Sequence, residues 1–179
     1  MTDIIESTNA IGRPLRRKED AKLLHGRTNW TDNIQLPGTL HMAIVRSPMA
    51  HARITSIDLS GALAMPNVVA AFDAASLGDM NAAVPCVWPV TDNTLMPPIP
   101  ALTGDKVRHV GDCVAVVLAT DAASAEDALA AVDVEYEPLP AVINMVDALT
   151  GDSELVHDSV PNNSCYTYPF GGGFDDAAA

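Results

Sequence analysis

Histidine, cysteine, serine and carboxylate side chains could carry chemistry in this chain, and their spacing decides whether they do. Five histidines, His25, His41, His51, His109 and His157, form no His-x3-His and no His-x-x-Glu pair. Zinc and di-iron sites are usually built around such local pairs. Cys86, Cys113 and Cys165 are far apart and odd in number, which is neither a disulfide framework nor a CxxC knuckle. There is no Gly-x-Ser-x-Gly elbow, no Gly-x-Gly-x-x-Gly and no P-loop. Gly171-Gly172-Gly173 offers successive N–H groups of the kind that nest an anion. It lacks a preceding strand, a following helix and any Lys, so it reads as a linker. The best remaining cluster of exposed polar donors is Arg46, His51 and Arg53, flanking the loop 47–51. Those three read either as docking contacts or as a solvated hairpin end. No residue is assigned a catalytic, cofactor-binding or metal-ligating role.

The element that must position any site is the stretch Thr103–Pro140. Cys113–Ala119 (CVAVVLA) is a continuous apolar run with a β-branched centre, suited to a strand covered on both faces. Gly111-Asp112 marks a turn before it, and Thr120-Asp121 offers two N-caps after it. Ala125, Ala128, Leu129 and Val132 then share one helical face, with Glu126 and Asp127 pointing away. Val132, Val134 and Tyr136 alternate with Asp133, Glu135 and Glu137, the period of a half-buried strand, until Pro138 and Pro140 stop it. The reading is a βαβ unit over 113–137, its Ala-faced helix lying close on a sheet.

Elsewhere, Arg16–Leu24 has helical composition with Gly26 as its stop, and Trp30–Asn33 and Leu36–Gly38 read as turns. Leu40–Arg46 and Ala52–Leu59 are predicted strands, Leu59–Met65 a brief Ala-rich helix, and Val68–Phe72 a third strand with a turn or short helix through Leu77. Five prolines between residues 79 and 101 exclude helix and central strand. That segment is predicted to be an ordered loop pinned by Trp88, placed at an interface rather than acting as a catalytic lid. Val142–Leu149 reads as a short strand and a helical turn. Beyond Thr150, Tyr166, Tyr168 and Phe170 are the only large anchors.

Composition narrows the functional classes. A formal charge of -13 argues against nucleic acid as a partner, since phosphate binding needs clustered Lys and Arg. Arg16, Arg17 and Lys18 are followed at once by Glu19-Asp20 and read as an exposed helix face. No Lys or Arg follows Arg108, so the second half presents an acidic surface. With 48% hydrophobic but only 4% aromatic residues, the core must be aliphatic. No secretory leader or membrane-length apolar run stands out, and a cytoplasmic location is expected.

A longer pattern runs through the chain. It comprises Gly12-Arg13-Pro14, Thr31-Asp32-Asn33-Ile34-Gln35-Leu36-Pro37-Gly38, Arg46-Ser47-Pro48 with His51-Ala52-Arg53-Ile54, Ile57-Asp58 and Pro66-Asn67-Val68. Lys106-Val107-Arg108-His109-Val110-Gly111-Asp112, Ala125-Glu126-Asp127-Ala128 and Val134-Glu135-Tyr136-Glu137-Pro138-Leu139-Pro140 follow in order. Together they resemble the N-terminal α/β-hammerhead domain of the molybdenum hydroxylase large subunit, the family of xanthine dehydrogenase, aldehyde oxidase and carbon monoxide dehydrogenase. The resemblance implies an α+β fold with a mixed sheet and short Ala-rich helices. It implies a flexible N-terminus over 1–10, the hammerhead over 11–149, and an extended linker over 150–179 toward domains that are absent here.

The resemblance further implies a complete enzyme holding molybdenum on molybdopterin, with [2Fe–2S] clusters and FAD on partner domains or subunits. In that family the pterin-binding loops and the glutamate base lie in later domains, so this chain is expected to bind no cofactor itself. It is expected to be inactive alone, as a fragment or one subunit of a split enzyme. Its partners would be the remaining large-subunit domains and the iron–sulfur and flavin subunits, with no membrane. A stand-alone interaction module that keeps the fold without the catalysis is the alternative.

Overall fold

The computed structural model describes residues 14–34 and 36–168. The chain divides into two compact units, one up to Thr39 and one from Leu40 onward. In the first, helix α1 (Asp20–Leu24) is shorter than its composition suggests. It ends where Gly26 takes φ +62 and the N–H of Arg27 reaches the Lys22 carbonyl at 2.9 Å. A 3-10 turn covers Thr31–Asn33, and Gly38 at φ +81 closes the next turn, with Thr39 N–H on the Leu36 carbonyl.

The second unit runs β1 (His41–Arg46), β2 (Ala52–Asp58), α2 (Ser60–Leu63), β3 (Val68–Asp73) and α3 (Ala74–Leu77), then β4 (Lys106–Val107), β5 (Cys113–Ala119), α4 (Ala122–Leu129), β6 (Asp133–Pro138) and α5 (Met145–Ala148). The strands form two three-stranded sheets, β1-β5-β3 and β4-β2-β6. Every pairing is antiparallel. This corrects two expectations. The sheets are not mixed, and β5 and β6 do not form a βαβ unit, because they belong to different sheets. The physical reason is in the residues. The apolar β5 takes the centre of its sheet, with β1 and β3 filling both edges. The half-polar β6, with Asp133, Glu135 and Glu137 exposed, suits the edge beside β2. For the same reason the segment 47–51 is no hairpin end, since β1 and β2 lie in separate sheets.

Helix α4 forms as the spacing predicts. Asp121 caps it, accepting from the Ser124 N–H at 2.9 Å, and Ala125 and Ala128 are buried while Glu126 and Asp127 are exposed. Ala128 meets Val117, Ala62 and Ala71, and Ala125 meets Ala43 and Ala119. Small side chains on both surfaces let the helix lie close to the sheet. Close approach also fixes Gly61, where an added Cβ would sit 2.5 Å from the Ala131 carbonyl oxygen. Val114, on the other face of β5, joins a second core with Ala52 and Val107. The central strand is therefore covered on both faces, as its continuous apolar run requires.

The segment after α3 opens with a 3-10 turn, Gly78–Met80, and then runs to Leu102 without regular structure. It is ordered at its base by polar bonds. The Asn81 side chain donates to the Leu102 carbonyl and accepts from its N–H, each at 2.9 Å, and Val84 N–H reaches the Ile99 carbonyl. Trp88 is not the pin, being 85% exposed. Tyr166 and Tyr168 are about half exposed, and Phe170 lies outside the described residues, as do residues 1–10 and Gly171–Gly173. The short strand expected in 142–149 is absent, and only α5 forms there, capped by Asn144. Among the described residues no helix is long and apolar enough to cross a membrane.

Candidate functional site

The structure sends the three predicted docking residues to different places. Arg46, at the end of β1, is exposed but turned back, its Nη1 donating to the Gly111 carbonyl at 2.9 Å and to Cys113 Sγ at 3.3 Å. His51 is 4% exposed and is not a surface donor. Its Nδ1 lies 2.8 Å from the Pro140 carbonyl, which can only accept, so Nδ1 carries the proton and the buried Nε2 is left without a partner. Arg53 alone remains a plain surface residue, on β2 opposite Glu137 of β6 and Lys106 of β4. Alternating polar and apolar types in ARITSID signal a half-buried strand. They do not reveal that the preceding His51 turns inward.

Arg46 docks on a polar knot between β4 and β5. The Asp112 carboxylate accepts from Thr103 Oγ1 at 2.9 Å and from the Arg108 N–H at 3.0 Å. Gly111, at φ +93, makes the turn that lets its own N–H reach the Ser47 carbonyl at 2.8 Å. Lys106 is the residue sequence reasoning passed over. Its side chain is 2% exposed, and its ammonium donates to Asp158 Oδ1 at 2.8 Å and to the Leu155 carbonyl at 3.2 Å. The Lys106 hydrogen bond and charge hold the Asp158 carboxyl below its ordinary value. No local signal marks the pair, because the partners are 52 residues apart in the chain.

Beside this knot, among the described residues, lie cavities that share His157 as a wall. The largest, ≈ 770 Å³, is walled by the proline-rich loop on one side, with Val84, Leu95, Met96 and Ile99, and by His157, Cys165 and Tyr166 on the other. Smaller ones of ≈ 130 Å³ and ≈ 290 Å³ share His157 as a wall. Burial, reinforced by the charges of Arg108 and Lys106, pushes the His157 imidazole below its ordinary value. Among the described residues no group of three or more His, Cys, Asp or Glu converges as metal ligands. The serine–carboxylate contacts at Ser76–Asp73 and Ser124–Asp121 are helix caps, not activated nucleophiles. The largest cavity has no Lys or Arg in its wall to meet a pterin phosphate. These residues do not fit a molybdenum–molybdopterin group.

The chain's sequence matches the family model described as aldehyde oxidase and xanthine dehydrogenase, a/b hammerhead domain, over residues 25–140. It belongs to that family. The hammerhead fold expected from the sequence is therefore the fold of the chain. It is 40% identical over 148 residues to the 6-hydroxypseudooxynicotine dehydrogenase complex subunit gamma of Paenarthrobacter nicotinovorans, covering 81% of this chain and 19% of that protein. To the carbon monoxide dehydrogenase large chain of Hydrogenophaga pseudoflava it is 41% identical over 144 residues, covering 80% and 17%. Among solved structures, the Cu,Mo-CO dehydrogenase in its carbon monoxide reduced state is similar, with a TM-score of 0.66 and 37% identity over 80% of this chain and 17% of that one. The chain thus spans less than a fifth of the length of these hammerhead-family relatives.

Proposed function

We propose that this chain serves as the N-terminal, non-catalytic hammerhead domain of a molybdopterin-dependent oxidoreductase of the xanthine, aldehyde or carbon monoxide type. It supports subunit packing and shapes the approach to an active site built by other polypeptide. The observation that carries this reading is the apolar loop after α3, where Val84, Val87, Trp88, Met96 and Ile99 are all more than half exposed. An exposed apolar stretch of that extent marks a contact surface. Its partners are the remaining large-subunit domains, with iron–sulfur and flavin subunits in the same assembly. The cofactor sits on those partners and not on this chain.

The test is co-expression of the chain with the remaining large-subunit domains, followed by affinity capture and elemental analysis of the captured complex. Molybdenum is expected in the complex and not in the chain alone. Val87→Asp with Trp88→Asp should weaken capture by about tenfold or more, as for central interface residues, and leave the thermal midpoint unchanged. Stoichiometric molybdenum in the isolated chain, or dye-linked oxidation of a purine, an aldehyde or CO by it, would overturn the reading. Capture untouched by the double substitution would show that the loop is not the contact.

A further inference from the structure

We propose that Lys106, His157 and Asp158 form a pH-sensitive latch that holds the strap 155–166 against the second sheet, and that its release opens the cavity behind. Lys106 sits on β4, and its buried ammonium grips the strap at Leu155 and at Asp158, the residues on either side of the segment that carries His157. Besides that grip, the strap is held by the Leu95 N–H on the Cys165 carbonyl at 2.8 Å, by Asn163 Nδ2 donating to the Ala148 carbonyl at the end of α5 at 3.1 Å, and by the buried Val160. His157 is a wall of all three cavities, so moving it joins them.

The charged neighbours of His157 are the cations Arg108 and Lys106 and the carboxylates Asp158 and Asp105. His109 and Asp112 share its smallest cavity, and Cys165 and Tyr166 its largest. A proton on the closed imidazole would add positive charge beside two cations in a partly desolvated place, so the closed strap holds it neutral. Once the strap swings out, the ring recovers its ordinary 6.5. Opening therefore takes up a proton. The closed form is fully favoured above 6.5, loses ground as the pH falls below that value, and levels off under the depressed closed-state value. Asp158 acts in the same direction at lower pH, because its protonation removes the charge partner of a buried ammonium.

Hydrogen exchange of the full chain, followed by mass spectrometry from about pH 8 to about pH 5 and corrected for intrinsic rates, tests this. Strap peptides should lose protection by up to roughly tenfold per pH unit, the limit for one proton, while β5 stays protected. His157→Asn should flatten that slope, and Asp158→Asn should expose the strap already at the alkaline end. A flat wild-type profile, a slope that survives His157→Asn, or simultaneous loss of β5 would overturn the latch. Should His157→Asn fail to fold, the NMR titration of His157 in the unaltered chain decides. Protonation below the ordinary imidazole value supports the latch, and protonation at or above it sinks it.

Discussion

Lys106 and Asp158 form an ion pair whose ends lie in different media, the lysine side chain 2% exposed and the aspartate 74%. Removing the exposed partner leaves a buried ammonium with one carbonyl acceptor. Removing the buried partner leaves a carboxylate that water can serve. Asp158→Ala should therefore lower the urea midpoint more than Lys106→Met does. Equal midpoints would mean that the strap relaxes enough to wet the lysine.

The close seat of α4 predicts that both enlarging and trimming its contacts are costly. Ala128→Leu forces methylenes between Val117, Ala62 and Ala71 and should cost about 1–3 kcal/mol or more. Val117→Ala removes fully buried methyls from the same cluster and should cost about 2 kcal/mol. Equilibrium unfolding in urea measures both. A neutral Ala128→Leu would show that the helix can lift off the sheet without loss.

Gly61→Ala should destabilise by about 1–3 kcal/mol, because the new methyl meets a backbone oxygen that cannot rotate away. Gly26→Ala meets no atom within 4 Å, and its cost comes only from the positive φ. Thermal midpoints of the two variants separate crowding from backbone strain.

Acid should weaken the cap of α4. The Ser124 N–H and hydroxyl hold the Asp121 carboxyl below 3.8. A depressed carboxyl contributes stability that is fully present above the ordinary value and lost as the pH falls through the folded one. Asp121→Asn keeps an accepting oxygen and should flatten that acid limb, read as the thermal midpoint against pH. A limb unchanged by the substitution would remove Asp121 from the account.

What the sequence made legible was local. The cap at Asp121, the stop at Gly26, the buried face of α4 and the approximate extents of β1, β2, β3, β5 and β6 follow from side-chain types within a few residues, whereas the two-residue β4 carries no such signal. Strand partnership did not follow. The alternation in VDVEYE says that β6 is half-buried, but β2 and β5 both lie within its reach, and only the crowding of β5 by β1 and β3 decides between them. The same limit hid the site. Lys106 looks like any surface lysine until Asp158 arrives much later in the chain, and His51 looks like a loop donor until the Pro140 carbonyl comes down on it. Trp88 shows the opposite failure. A large aromatic in a proline-rich loop suggests an anchor, whereas the polar side chain of Asn81 closes that loop.

The sheet pairings also set an order of events during synthesis. Strand β1 has no hydrogen-bonded neighbour until β5 has left the ribosome, and β2 waits for β4 and then β6. The first sheet cannot close before Ala119 has been made and the second not before Pro138, so β1 and β2 travel without their full set of partners until then. Distant pairing of this kind slows folding. The apolar run Met42–Val45 in β1 is then the place where a chaperone or an early aggregation event would first take hold.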